Sequence, residues 1–110
     1  MLSEQMLGQA RENSANAVSV YSPSSGEVAI ITNIMLCNTS AATATYRVFH
    51  SNGGTTYDES TALAWDVVLG VGEFHSISSF IAMSNPAGNI AYRSSVANAV
   101  TCTVYGAVKS

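Results

Sequence analysis

From Ala17 to its end the chain repeats one pattern, a short run of strand-type alternation stopped by a turn signal, and no helical period longer than a few residues interrupts it. This punctuation constrains the fold more than any motif does. Val18 and Val20 share one face of a first run that stops at Ser22-Pro23-Ser24-Ser25-Gly26, where proline and glycine supply turn geometry. Residues 28–38 follow with apolar side chains in both alternating sets (Val28, Ile30, Ile34, Leu36 and Ala29, Ile31, Met35, Cys37), which predicts a central strand covered on both sides.

Residues 43–50 alternate Ala44, Tyr46 and Val48 with Thr45, Arg47 and Phe49, then meet Asn52-Gly53-Gly54, a hairpin signal because Asn and Gly tolerate positive φ. Residues 55–57 begin the return. Leu63, Trp65, Val67 and Leu69 share one face of the next run, which places Trp65 in the interior and predicts a second hairpin at Gly70-Val71-Gly72. Residues 73–77 and 80–82 come next, before the exposed loop Asn85-Pro86-Ala87-Gly88-Asn89, whose proline would interrupt a central ladder. Residues 90–93 and 100–108 complete about eight short antiparallel strands. The spacing predicts an all-β fold, a β-sandwich or jelly-roll.

A chain of 110 residues accommodates one domain with one core. The predicted body is residues 17–110. Residues 1–16 lack the two-residue period and read as an N-terminal arm, since Gly8 and Asn13 discourage the helix that Leu2, Met6 and Leu7 would otherwise allow. Two placements of this arm are equally simple: against a neighbouring subunit, with Leu2, Met6 and Leu7 as anchors, or docked on its own domain.

Charged residues make up 10% of the chain, against about 25% in a typical soluble domain, and the net charge is -3. Ser, Thr, Asn and Gly solvate the surface in their place, and so weakly charged a surface gives little protection against self-association. A homo-oligomer is expected. The basic residues Arg11, Arg47, Arg93 and Lys109 are scattered, so no sequence-local patch tracks a nucleic-acid backbone. The first residues lack a secretory signal and no run is long enough to span a bilayer, so the expected place of synthesis is a cytoplasm and no membrane partner is expected. Cys37 and Cys102 are then expected as free thiols. Their spacing lacks the Trp and Tyr positions of an immunoglobulin domain, and the Asn38-Thr39-Ser40 sequon is uninformative without secretion.

Nothing in the chain has the spacing of a metal site, for His50, His75, Cys37 and Cys102 form no close pair. No Gly-x-Ser-x-Gly elbow or phosphate loop is present, and Asp66 and Glu73 could face one another only if their strands pair in one particular register, so no catalytic residue, cofactor or metal is assigned and the chain reads as non-enzymatic. Tyr57 and Tyr92 are the aromatic candidates for an exposed contact. With Leu2, Met6, Leu7 and Arg11 they form the predicted partner-binding set.

Gly8-Gln9-Ala10-Arg11, Met35-Leu36-Cys37-Asn38, Tyr46-Arg47-Val48-Phe49-His50, Gly54-Thr55-Thr56-Tyr57-Asp58 and Thr103-Val104-Tyr105-Gly106 together resemble small virion proteins of tailed bacteriophages, over nearly the whole chain. The resemblance implies a particle component without catalytic residues, of the kind that decorates and cements a capsid, often as a trimer. It implies the major capsid protein as partner and the virion as location. A tail or fibre accessory binding host-surface carbohydrate is the second expectation.

Overall fold

The computed structural model describes residues 2–109, with the side chain of Leu2 outside the described set. Eight strands form, β1 (Leu2–Arg11), β2 (Val18–Tyr21), β3 (Val28–Asn38), β4 (Ala44–Ser51), β5 (Ala62–Leu69), β6 (Phe74–Met83), β7 (Asn89–Ser94) and β8 (Val100–Lys109). They pack as two four-stranded sheets, with orders β1-β8-β3-β6 (sheet A) and β2-β7-β4-β5 (sheet B). Every ladder is antiparallel, and the pairs β1·β8, β2·β7, β3·β6 and β4·β5 nest inside one another. This is one long hairpin rolled up on itself, the jelly-roll order of an all-β sandwich. Its outermost pair sets Leu2 opposite Lys109, and its tip is the β4–β5 hairpin at Asn52-Gly53-Gly54.

The core lies between the sheets. Ala29, Ile31, Ile34 and Leu36 from β3, Tyr46 and Val48 from β4, Ile90 and Tyr92 from β7, and Cys102 and Val104 from β8 are all buried there. β3 changes phase at Thr32: Ala29 and Ile31 before it, and Ile34 and Leu36 after it, all face inward, and the register with both neighbours slips at that point. The bulge therefore corrects one expectation. Both alternating sets of β3 are apolar largely because the inward face changes parity midway, and the outer face, with Ile30, Met35 and Cys37, is only half-buried.

Of the two placements expected for residues 1–16, the described residues take the second, docked on their own domain as a full strand. β1 pairs with β8 from Leu2 to Arg11, and Leu7 and Ala10 pack on the core. The two-residue period is hidden by an extra residue between Met6 and Gly8, where the register shifts. Gly8 is required at that point, because a Cβ there would strike the Val20 carbonyl of β2. Asn38 at the end of β3 shows why its sequon is uninformative: its amide donates to the carbonyls of Ala42 and Leu69 and accepts from Ser40, and it is buried.

Three further expectations are corrected. Gly70-Val71-Gly72 makes no hairpin, for the chain crosses there from β5 in sheet B to β6 in sheet A through a turn closed by Glu73 N-H to Gly70 O at 3.1 Å. Residues 55–57 are not strand, and the return begins at Ala62. Trp65 is not interior but 39% exposed. Asp66 beside it has φ 50°, and this kink changes the phase of β5 so that Ala64, Val67 and Leu69 face inward while Leu63 and Trp65 face out.

Candidate functional site

The two outer sheet faces carry the features that packing alone does not account for. On sheet A the irregularities of all three ladders fall at one level: Met6/Gly8 on β1, and Ile31/Asn33 on β3 against both β8 and β6. At that level Met6 pairs with Tyr105, and a cleft of about 530 Å³ crosses the sheet, lined by Met6, Ile30, Thr32, Phe80 and Tyr105 with Glu4 and Gln5 at its β1 edge. Met6 is 52% exposed and Phe80 77%. A contiguous apolar band rimmed by polar groups is the usual mark of a protein-contact surface. Its outer boundary is the edge strand β6, whose ten residues include none of Asp, Glu, Lys, Arg or Pro, the groups that commonly blunt an open edge.

On sheet B, Phe49 and Ala91 face outward yet are buried, apart from the main core. Their cover is a small aromatic cluster: Tyr57 stands 5.8 Å from Phe49, and Trp65 meets Phe49 edge-on at 6.2 Å. The Arg47 guanidinium lies 3.6 Å over the Trp65 ring, a cation-π stack, and makes a two-bond fork to Asp66. The kink at Asp66 aims its carboxylate at this fork. The hydrogen bond from Arg47 holds the Asp66 carboxyl below the ordinary carboxylate range, opposed by desolvation and assisted by the charges of Arg47 and Arg93. Arg93 on β7 sits directly opposite Arg47 in register.

The predicted partner-binding residues do not come together. Met6 lines the sheet A cleft, whereas Leu7 turns inward, and Arg11 is exposed with its guanidinium donating to the Asn98 carbonyl. The side chain of Leu2 lies outside the described residues. Tyr57 is half-buried against Phe49. Tyr92 is fully buried, a correction that follows from its inward position on β7: its hydroxyl donates to the Val100 carbonyl at 2.8 Å and accepts from Glu12 N-H at 2.8 Å. Phe80, Tyr105 and the Arg47, Asp66 and Arg93 group were missed because bulges and cross-strand register bring them together. The one sequence signal for them is the pair of arginines placed in two separate strand-type runs.

His75 accepts or donates a hydrogen bond with the Tyr46 hydroxyl at 2.8 Å, and the Nε2 of His50 is buried without a hydrogen-bond partner among the described residues. Among the described residues no group of three or more His, Cys, Asp or Glu converges as metal ligands, and no helix is long and apolar enough to cross a membrane. Both cysteines are free thiols.

No protein-family model and no curated protein matches the chain. Among solved structures it is similar to the structure of infectious bursal disease virus Gx strain, with 8% sequence identity and a TM-score of 0.45 over 98% of this chain and 30% of that one. The chain thus spans about a third of the length of the chain it matches. At that score the likeness assigns neither a family nor a function.

Proposed function

We propose that the chain is a non-enzymatic structural protein of a tailed-phage particle, and specifically a decoration protein that cements the assembled head. The observation that carries this reading is the solvent-open apolar band on sheet A, with Phe80 77% exposed at its β6 border. A surface of this kind, on a chain with 10% charged residues, fits a protein partner better than a life free in solution. The partner of this reading is the major capsid protein, contacted by a homotrimer. Contacts that bridge several capsid subunits exist only in the assembled shell, so they stabilise that state by mass action and slow its rupture.

A tail or fibre accessory protein that binds host-surface carbohydrate is the second reading, favoured by the partly exposed Trp65 on the outer face of sheet B. Electron microscopy of intact particles separates the two. Density for this chain on the head supports cementing, density on the tail supports the accessory role, and its absence from particles overturns both. Phe80→Ser, a change on the outer face, is expected to weaken head binding by at least about tenfold while leaving the fold intact. Unchanged binding by that variant removes the sheet A band as the contact.

A further inference from the structure

The paired arginines of sheet B require an explanation that packing does not supply. Like charges directly opposite on neighbouring strands repel, yet Arg47 and Arg93 are register partners in a chain with only four basic residues. Among the described residues Asp66 is the carboxylate hydrogen-bonded to this group, and both bonding arms of Arg47 engage it. Arg93 uses its Nε-H on the Ala15 carbonyl at 2.8 Å, and among the described residues neither Nη nitrogen has an acceptor. Arg93 therefore presents a planar pair of donors that no carboxylate among the described residues accepts.

These side chains line a cleft of about 210 Å³ with Thr45 and Ser95. The Ser95 hydroxyl oxygen accepts from Thr45 N-H at 2.8 Å, which leaves its hydrogen to donate. The space is below the roughly 300–1,000 Å³ of sites for drug-sized ligands, so the occupant is one small group. Asp66 lines the same cleft, its φ of 50° aiming the carboxylate at Arg47.

We infer that this cleft binds a carboxylated sugar residue, a uronic-acid type of group. Its carboxylate would take the Nη pair of Arg93, and its hydroxyls the donors Thr45 and Ser95 and the half-exposed acceptor Asp66. A phosphate dianion suits the cleft less well, because Asp66 opposes it and a single guanidinium is open. An acidic peptide side chain leaves Thr45, Ser95 and Asp66 without partners. The ligand class deepens the second functional reading, but the test uses the isolated chain, so its failure is separable from the location of the protein in a particle.

The experiment is an NMR titration of the whole chain with methyl glucuronide, read at the Ser95 backbone N-H and the Arg93 Nε-H. Saturable shifts are expected with a Kd on the order of 1 mM, as for a small ligand of ordinary efficiency. Methyl glucoside, acetate, inorganic phosphate and a glutamate dipeptide should each bind at least about tenfold more weakly. Arg93→Gln should remove the shifts. Should that variant fail to fold, Arg93→Lys keeps the charge and loses the fork, and its affinity is expected to fall by about tenfold. Absence of saturable shifts, equal binding of acetate, phosphate or the dipeptide, or unchanged affinity in the folded Arg93 variant overturns the assignment.

Discussion

The Tyr92 hydroxyl on sheet B donates a hydrogen bond to the Val100 carbonyl on sheet A at 2.8 Å, and the same oxygen accepts from the Glu12 N-H just after β1. One phenol thus ties both sheets and the start of the β1–β2 connection. Removing the oxygen leaves a buried carbonyl and an N-H without partners, at a cost of about 1–3 kcal/mol. Tyr92→Phe is therefore expected to lower the melting temperature by several degrees, at about 4–8 °C per kcal/mol for a domain near this size. Urea denaturation followed by circular dichroism measures it, and an unchanged midpoint would show that the tie does not contribute.

Deletion of residues 2–11 tests whether β1 belongs to the body. The strand supplies the ladder that covers β8 and sends Leu7 and Ala10 onto the core, so its loss uncovers apolar surface and an unpaired edge together. Burying a leucine alone is worth about 1.5–3 kcal/mol, and whole domains hold about 5–15 kcal/mol in total. The truncated chain is expected to be unfolded or aggregated at 25 °C by NMR. A well-dispersed spectrum would return residues 1–16 to the status of an arm.

Stability should depend on pH through His50. Desolvation of its half-buried ring moves its pKa below the ordinary 6.5, so the unfolded chain takes up that proton more readily than the folded one. The contribution is complete above the unfolded value and is lost as pH falls from there through the lowered folded value. The urea midpoint is expected to decline below about pH 6.5. The decline should be smaller in His50→Asn, and an identical pH profile for variant and parent would exclude His50 as its source.

The two thiols should differ sharply in reactivity. Burial pushes the Cys102 thiol up to about 12, far from the thiolate form that reacts, whereas Cys37 is only half-buried at the end of β3. Under native conditions at pH 8 an aromatic disulfide reagent is expected to label Cys37 first and Cys102 only after unfolding. Mass spectrometry of the labelled peptides decides it.

The sandwich class and most strand positions were legible because turn chemistry and alternation are local properties. Val28–Asn38 and the Asn52-Gly53-Gly54 turn were placed correctly by residue pattern alone. What failed did so where a strand changes phase. The extra residue near Leu7 concealed β1, the slip at Thr32 made β3 look covered on both sides, and the kink at Asp66 turned Trp65 outward. Each is a single-residue event that inverts every later inside-outside assignment on its strand. Arg47 and Arg93 lie far apart in sequence, and only the β4·β7 register makes them neighbours.

The pairing of Leu2 with Lys109 means that any chain leading into or out of the described residues departs from one corner of sheet A. The rolled hairpin is one short linker away from a closed ring, and a ring can be cut anywhere its backbone is exposed. Joining these ends and opening the chain between Val71 and Gly72 would give a circular permutant with the same sheets, whose free termini stand at the opposite end of the roll. A peptide grafted at either pair of ends could thus be carried at a chosen pole of the domain.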